Sequence, residues 1–268
     1  MPFSQAVLYY VPGIPLALMI IFGATLLSIS GLFITRAFFP FHKLKLHNDV
    51  AGFIYATLGT IYAVLLAFMV VVSWENFDVT SRNVQKEANY IADLYRDSEA
   101  FAPEFRKNVR ASLDIYVDAI VDEEWPLLAK GERSMHVQEI STGIWKLYGA
   151  YQPRTETEKI FFAESVNRLN DAGELRRQRI LDAQSGIPLT LWLVLITGGF
   201  VTIFYTFLFG TENFGAQILM TTMLTMVIAF IFYTVLAFDF PFTGSVNISH
   251  KPFEEILNVL HHRAAPLK

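Results

Sequence analysis

Four long apolar segments dominate the chain, and a mostly polar stretch separates the second from the third. Each segment has the roughly 20 residues that a helix needs to cross a bilayer. None contains a charged side chain except the last, which holds Asp239 near its end. The pattern therefore predicts four transmembrane helices. They run from about Gly13 to Thr35, Val50 to Ser73, Ile187 to Gly210 and Ile218 to Phe240.

The links between these segments predict how they are arranged. Residues 36–49 join the first two spans and residues 211–217 join the last two, and links this short make consecutive helices antiparallel neighbours. The predicted fold is an all-α membrane protein in which two transmembrane hairpins flank a helical extramembrane insert. The predicted domains are residues 1–74 for the first hairpin, 75–186 for the helical domain, 187–240 for the second hairpin and 241–268 for a tail with an amphipathic helix.

The second span runs into the insert without a helix-breaking residue. Neither Gly nor Pro occurs between residues 67 and 88. Apolar residues then continue at helical spacing, namely Phe77, Val84, Ala88, Ile91 and Tyr95. We therefore expect one continuous helix of about 49 residues, about 70 Å long at 1.5 Å per residue.

Three more helices are expected in the insert and one in the tail. Proline is favoured in a first helical turn, and a Thr–Glu pair three residues apart is a capping box. In the tail, apolar residues at positions 253, 256, 257 and 260 share one face, so the tail can dock on the insert or lie at the membrane surface. Two adjacent glutamates oppose attraction to anionic lipid, which favours docking. The expected insert helices begin at Pro103, at Ser134 and at Thr155 with Glu158; the first ends near Pro126 and the last at Ser185 and Gly186.

Composition narrows the possible chemistry. The chain is 53% hydrophobic and 17% charged, with a net charge of -4, which gives no electrostatic case for binding nucleic acid. It has no cysteine, so thiol catalysis, disulfides and iron–sulfur clusters are excluded. The six histidines form no metal-ligand motif, and no nucleotide-binding or acyl-transfer motif occurs. We therefore expect no enzyme activity, no metal and no cofactor.

The second span carries an ordered face of small residues, including Gly52, Ala56 and Ala67. Small residues three or four apart allow close helix packing. Alternatively, the same helix from several copies lines a narrow pore that is closed by a hydrophobic ring. The pore-lining candidates are Gly59, Ile61, Ala63, Leu65, Phe68 and Val72.

Aromatic and charged residues cluster where the spans meet the insert. In one interpretation they anchor the insert to the bilayer through an aromatic side chain and ion pairs. In the other they form a charged ring at a pore mouth, where carboxylates favour cations and arginines favour anions. The residues are Trp74, Glu75, Asp78, Arg176, Arg177, Arg179 and Asp239.

The block "HNDVAGFIYATLGTIYAVLLAFMVVVSWENFD" and its continuation "VQKEANYIADLYRDSE" resemble a bacterial membrane family described as bestrophin-like. The plan of two hairpins around a helical insert is similar to that family over most of residues 10–260. Bestrophins are pentameric anion channels with a cytoplasmic helical domain, and their second span lines an apolar neck. The resemblance implies an oligomeric channel in which Phe68 is the candidate neck residue.

Together these observations predict a homo-oligomeric ion channel of the bacterial inner membrane with a pore lined by the second span. The expected partners are the lipid bilayer, further copies of the chain and inorganic ions. Basic residues near the span ends favour a cytoplasmic insert. Ion selectivity is left open, although the resemblance suggests anions. The alternative is a non-conducting membrane scaffold or sensor whose helical insert binds a partner.

Overall fold

The computed structural model describes residues 2–39 and 44–256, and the regular elements in these ranges are helical. This confirms the predicted all-α fold. Four helices are long and apolar enough to cross a membrane, and they begin at Gly13, Asn48, Leu189 and Phe214. The helices are α1 (Phe3–Tyr10), α2 (Gly13–Phe38), α3 (Asn48–Asp97), α4 (Pro103–Ala119), α5 (Trp125–Leu128), α6 (Met135–Ala150), α7 (Glu156–Gln184), α8 (Leu189–Phe207) and α9 (Phe214–Asp239).

The described residues fall into two compact units. The membrane unit comprises residues 10–76 and 186–239, and the helical unit comprises residues 2–9, 77–185 and 240–256. Helix α3 supplies residues to both, because it is continuous over 50 residues as predicted. Residues 2–9, which the sequence assigned to the first hairpin, group with the helical unit. The described part of the tail groups with it as well.

In the membrane unit, α2 packs along α9 and also contacts α8. Thr225 of α9 donates to Ser28 of α2 over 3.0 Å. At the loop end of the hairpins, Arg36 donates to the side-chain oxygen of Gln217 over 2.9 Å. Asn48 and Gly210 exchange two hydrogen bonds of 2.8 and 3.0 Å. Polar contacts between the two hairpins thus supplement the apolar packing within the unit.

The helical unit is built around one apolar core. Buried side chains from α3, α4 and α6, such as Ile91, Val109 and Ile144, meet in this core. The helix starts predicted at Ser134 and Thr155 are confirmed, and both residues are N-caps. The Ser134 hydroxyl accepts the Val137 N–H at 3.2 Å, and the Thr155 hydroxyl caps α7 in the same way. Local sequence signals therefore set where α6 and α7 begin.

The chain termini contribute to this core as well. Phe253 is fully buried and Ile256 packs against the core, so the predicted docking of the tail on the insert is confirmed for these two residues. Leu257 and Leu260 lie outside the described residues. At the other terminus, the amide of Gln5 is fully buried and donates to the Ala183 carbonyl and to the Thr243 hydroxyl, both over 3.2 Å.

The predicted end of the second insert helix near Pro126 is confirmed to within two residues, since the helical run that begins at Pro103 ends at Leu128. After Ala119 the chain makes a π-helical turn, Ile120–Glu124, and continues as α5 to Leu128. Pro126 lies in the first turn of α5. A proline is tolerated there because its missing N–H has no partner within the helix anyway.

Candidate functional site

The second span, the first part of α3, has one buried face within the membrane unit. Tyr62, Leu66 and Met69 are between 2% and 6% exposed and belong to the buried apolar cluster of this unit. The Tyr62 hydroxyl donates to the Leu195 carbonyl over 2.9 Å. This face holds the second span against the other helices and is not free to line a pore.

An outward stripe, Ile61, Val64, Phe68 and Val71, runs along the same helix. These side chains are 68%, 66%, 63% and 56% exposed, respectively. Two of them, Ile61 and Phe68, were predicted as pore-lining residues. Val64 and Val71 were missed, although their spacing of three and four residues from Ile61 and Phe68 places them on the same helical face. The stripe is therefore apolar over about three turns.

The other pore-lining candidates lie elsewhere on the helix. Leu65 packs against the buried cluster and Val72 is half-buried. Gly59 and Ala63 line a cavity of about 270 Å³ beside α9. At about 100° per residue, they lie roughly 160–200° around the helix from Ile61. The six candidates therefore cannot all face one axis, so only part of the set can line a pore.

Trp74 and Glu75 follow the outward stripe. Trp74 is 55% exposed, and Glu75 is exposed. Glu75 lies seven residues after Phe68, which is about two turns further along the same face. A carboxylate thus ends the apolar stripe within the membrane unit. In the helical unit, the partly exposed Asp78 pairs with Arg82 one turn later.

Asp239, the only charged residue of the four apolar segments, is buried. It is 6% exposed, and its Oδ1 accepts the Ile187 backbone N–H over 2.5 Å. The carboxylate at the end of α9 therefore binds the backbone just before α8. Its prediction as a pore-mouth or interface charge is corrected, because it is enclosed within the membrane unit.

The three predicted arginines also separate. Arg177 is exposed and pairs with Glu174 at 2.9 Å on the same helix. The side chains of Arg176 and Arg179 are only 4% and 1% exposed. The prediction that these two arginines act at the bilayer surface or a pore mouth is corrected, since both point into the interior of the helical unit.

Arg176 and Arg179 form a buried charge chain with Glu87 and Glu124, in the order Glu87–Arg179–Glu124–Arg176. Arg179 donates to both oxygens of Glu87 over 2.8 and 2.9 Å and to Glu124 over 3.1 Å. Arg176 donates to both oxygens of Glu124 over 3.1 and 2.6 Å. Glu87 and Glu124 are fully buried. Two carboxylates thus balance two guanidinium groups, which makes burial of all four possible.

The surroundings of this buried charge chain shift the ionisation of its members. Burial alone would lower the pKa of Arg179, but the carboxylates of Glu87 and Glu124 outweigh this effect and raise it. Burial raises the pKa of the neighbouring Tyr116 hydroxyl. Arg179 therefore stays charged, and Tyr116 stays neutral near physiological pH.

The sequence contained a signal for the buried charge chain. This signal was overlooked because the arginines were assigned to a surface. Spacing of three and four residues marks the buried face of a helix. On α7 this spacing includes the two arginines among small and apolar residues. From residue 169 onward, the buried positions of α7 are Leu169, Ala172, Arg176, Arg179 and Ala183.

The fold and these features define an all-helical protein with four apolar helices and a separate helical unit. The family model for the Bestrophin-like domain matches residues 22–253. The chain therefore belongs to the Bestrophin-like family, as its sequence suggested. No curated protein matches the chain.

Solved structures share the same fold at low sequence identity. The crystal structure of a membrane-protein variant has a TM-score of 0.66 and 15% identity, covering 92% of this chain and 99% of that one. The crystal structure of a bacterial Bestrophin homologue from Klebsiella pneumoniae has a TM-score of 0.65 and 14% identity, covering 92% of this chain and 100% of that one. At this identity the comparison supports the fold alone.

Proposed function

We propose that the chain forms a homo-oligomeric ion channel in the bacterial inner membrane. Copies of the second span surround the axis, and the outward stripe of Ile61, Val64, Phe68 and Val71 forms an apolar constriction. Membership of the Bestrophin-like family supports this proposal. The helical unit lies on the cytoplasmic side.

The observation that carries the proposal is the exposure of the outward stripe. Phe68 is 63% exposed within the chain, although the adjacent face of the same helix is packed. Large apolar groups in a ring can gate a pore by expelling water from it.

Ion flux into liposomes tests the proposal. We expect purified, reconstituted protein to pass ions, and we expect Phe68→Ala to increase flux because it removes the bulkiest group of the constriction. Phe22→Ala is the matched control, since Phe22 is 60% exposed on the first span. Absence of flux under varied voltage and tension would refute the proposal, and so would equal effects of the two variants.

Selectivity is expected to depend on Glu75. An exposed carboxylate at the end of the stripe attracts cations and repels anions. Glu75→Gln should therefore lower the cation-to-anion permeability ratio obtained from reversal potentials. The control is Glu156→Gln, because Glu156 is exposed on the helical unit. An unchanged ratio in Glu75→Gln would remove Glu75 from the pore mouth.

Thiol labelling tests the side of the membrane on which the helical unit lies. The chain has no cysteine, so an introduced cysteine is the sole labelling site. Met135 of the helical unit is 58% exposed, and Leu46 in the loop between the first two spans is 82% exposed. In intact spheroplasts, an impermeant reagent should label Leu46→Cys and spare Met135→Cys. The reverse pattern would place the helical unit outside.

A scaffold or sensor is the second candidate function. The helical unit exposes Ile115, Met135 and Ile160, which are 56%, 58% and 69% exposed. Apolar side chains at a surface are a feature of partner-binding sites. A chain that passes no ions but retains a protein partner through these residues would favour this candidate.

A further inference from the structure

Helix α1 has a polar residue on its buried face and aromatic residues on its exposed face. Gln5 is fully buried and Leu8 is 5% exposed, whereas Phe3 and Tyr10 are 85% and 77% exposed. A surface helix of a water-soluble domain ordinarily turns its apolar residues inward and its polar residues outward. The arrangement in α1 indicates that its exposed face meets apolar surroundings.

The contacts of Gln5 and Leu8 fix the orientation of α1 on the helical unit. The Gln5 amide donates to the Ala183 carbonyl and to the Thr243 hydroxyl, both over 3.2 Å. Leu8 packs against Gly244, where an added Cβ atom would lie 3.5 Å from the Leu8 Cβ. Rotating α1 to bury its aromatic residues would break both hydrogen bonds. The aromatic residues therefore stay on the outside.

The outer face of α1 consists of Phe3, Tyr10 and the partly exposed Val7. These residues are four and three positions apart, so they share one side of the helix. At about 100° per residue, Phe3 and Tyr10 lie roughly 170° around the axis from the midpoint between Gln5 and Leu8. The outer face thus points away from the contacts that hold α1.

The chain confines α1 to the neighbourhood of the membrane. Helix α1 ends at Tyr10, and α2, which is long and apolar enough to cross a bilayer, begins at Gly13. Three Cα–Cα steps of about 3.8 Å join these two residues, so they are at most about 11 Å apart. The polar layer on each side of the hydrocarbon core is about 5–8 Å thick. The end of α1 therefore lies in this layer or next to it.

The composition of α1 suits this layer. None of residues 1–35 is charged, so contact with lipid would remove no charge from water. Tyrosine is enriched at the level of the lipid headgroups. Helices that lie in the plane of the interface insert residues such as Phe at the boundary with the acyl chains.

We propose that the outer face of α1 binds the surface of the bilayer, with α1 lying along the interface. Lipid covers Phe3, Val7 and Tyr10, while Gln5 ties the same helix to the helical unit. This inference does not depend on the proposed channel activity.

Spin labelling of the full chain in lipid nanodiscs provides a direct test. Because the chain has no cysteine, a single introduced cysteine carries the nitroxide. The measured quantity is the ratio of collisions with oxygen, which concentrates in lipid, to collisions with a water-soluble nickel complex. We expect Phe3→Cys and Tyr10→Cys to give ratios between those of two controls.

The controls are Phe22→Cys and Ile160→Cys. Phe22 is 60% exposed on the first span, and Ile160 is 69% exposed on the helical unit. Ile160 lies about 36 Å along α7 from Gln184, at 1.5 Å per residue. If Phe3→Cys gave the same ratio as Ile160→Cys, the outer face would be in water and the proposal would be overturned. Few collisions with either reagent would overturn it too, since protein, such as a second copy of the chain, would then cover the outer face.

Quenching by brominated phospholipids is a second measurement that reports contact with acyl chains. Phe3→Trp adds one tryptophan to the four of the natural chain. We expect brominated lipid to quench the emission that this residue adds to the wild-type signal. The emission added by Ile160→Trp should remain unquenched. Equal quenching of the two added signals would contradict the proposal, and so would an unquenched signal from Phe3→Trp.

Discussion

Replacing Gly198 of α8 with alanine tests the close contact between α8 and the second span. A Cβ atom at this position would lie 2.5 Å from Cε2 and 2.6 Å from Cδ2 of Tyr62. Non-bonded carbon atoms are ordinarily about 3.5–4.0 Å apart, so the ring would have to move by about 1 Å. Tyr62 is 6% exposed and its hydroxyl donates to the Leu195 carbonyl. The ring therefore has little space to move, and moving it breaks a hydrogen bond.

The expected change in the free energy of unfolding is the difference between two opposing effects. Overpacking costs about 1–3 kcal/mol, and the lost hydrogen bond costs about 1 kcal/mol more. Within a helix, alanine is more favourable than glycine by about 1 kcal/mol, which offsets part of this cost. We therefore expect Gly198→Ala to destabilise the protein by about 1–3 kcal/mol, as the sum of these terms.

The matched control is Gly23→Ala in the first span. No atom lies within 4 Å of a Cβ at this position, so only the favourable helix-propensity term remains and the variant should be slightly stabilised. Denaturation of the detergent-solubilised protein, followed by circular dichroism, compares the two. In a Tyr62→Ala background, Gly198→Ala should no longer destabilise. Equal stability of Gly198→Ala and Gly23→Ala would refute the packing argument.

Three further substitutions probe the helical unit by the same denaturation assay. Thr155→Ala removes the N-terminal cap of α7 and should cost about 1 kcal/mol; no change in the midpoint would mean that the cap is dispensable. Gly131 has a φ of +71°, so Gly131→Ala should cost about 1–2 kcal/mol, whereas Gly143→Ala within α6 should not destabilise. Arg179→Leu leaves Glu87 buried without its partner and should cost about 3–5 kcal/mol. Adding Glu87→Leu should recover part of that loss, and an additive double variant would contradict the pairing.

The sequence predicted those features that depend on neighbouring residues. The apolar lengths identify the four spans, and the spacing of Thr155 from Glu158 identifies the start of α7. The absence of Gly and Pro after the second span correctly predicted that α3 continues beyond it. In each case the determining interactions lie within a few residues of one another.

Features that depend on distant partners were not predicted. Gln5 was assigned to the first hairpin, but its hydrogen-bond partners, Ala183 and Thr243, lie 178 and 238 residues away. Arg179 was assigned to the boundary of the membrane because it lies shortly before the third span, and its partner Glu87 is 92 residues away. Burial of a charge depends on the partner that compensates it, and local sequence does not show this partner.

The π-helical turn Ile120–Glu124 affects how the chain can change in length. Its hydrogen bonds connect residues five apart where those of an α-helix connect residues four apart. The turn thus contains one residue more than an α-helix would need between the same two flanking segments. Deleting the exposed Asp122 would let the segment close as ordinary α-helix and leave Trp125 facing the core. In an ordinary α-helix, deleting one residue rotates all the following side chains by about 100° around the axis. Deleting one residue from the π-helical turn should instead leave the orientation of α5 unchanged.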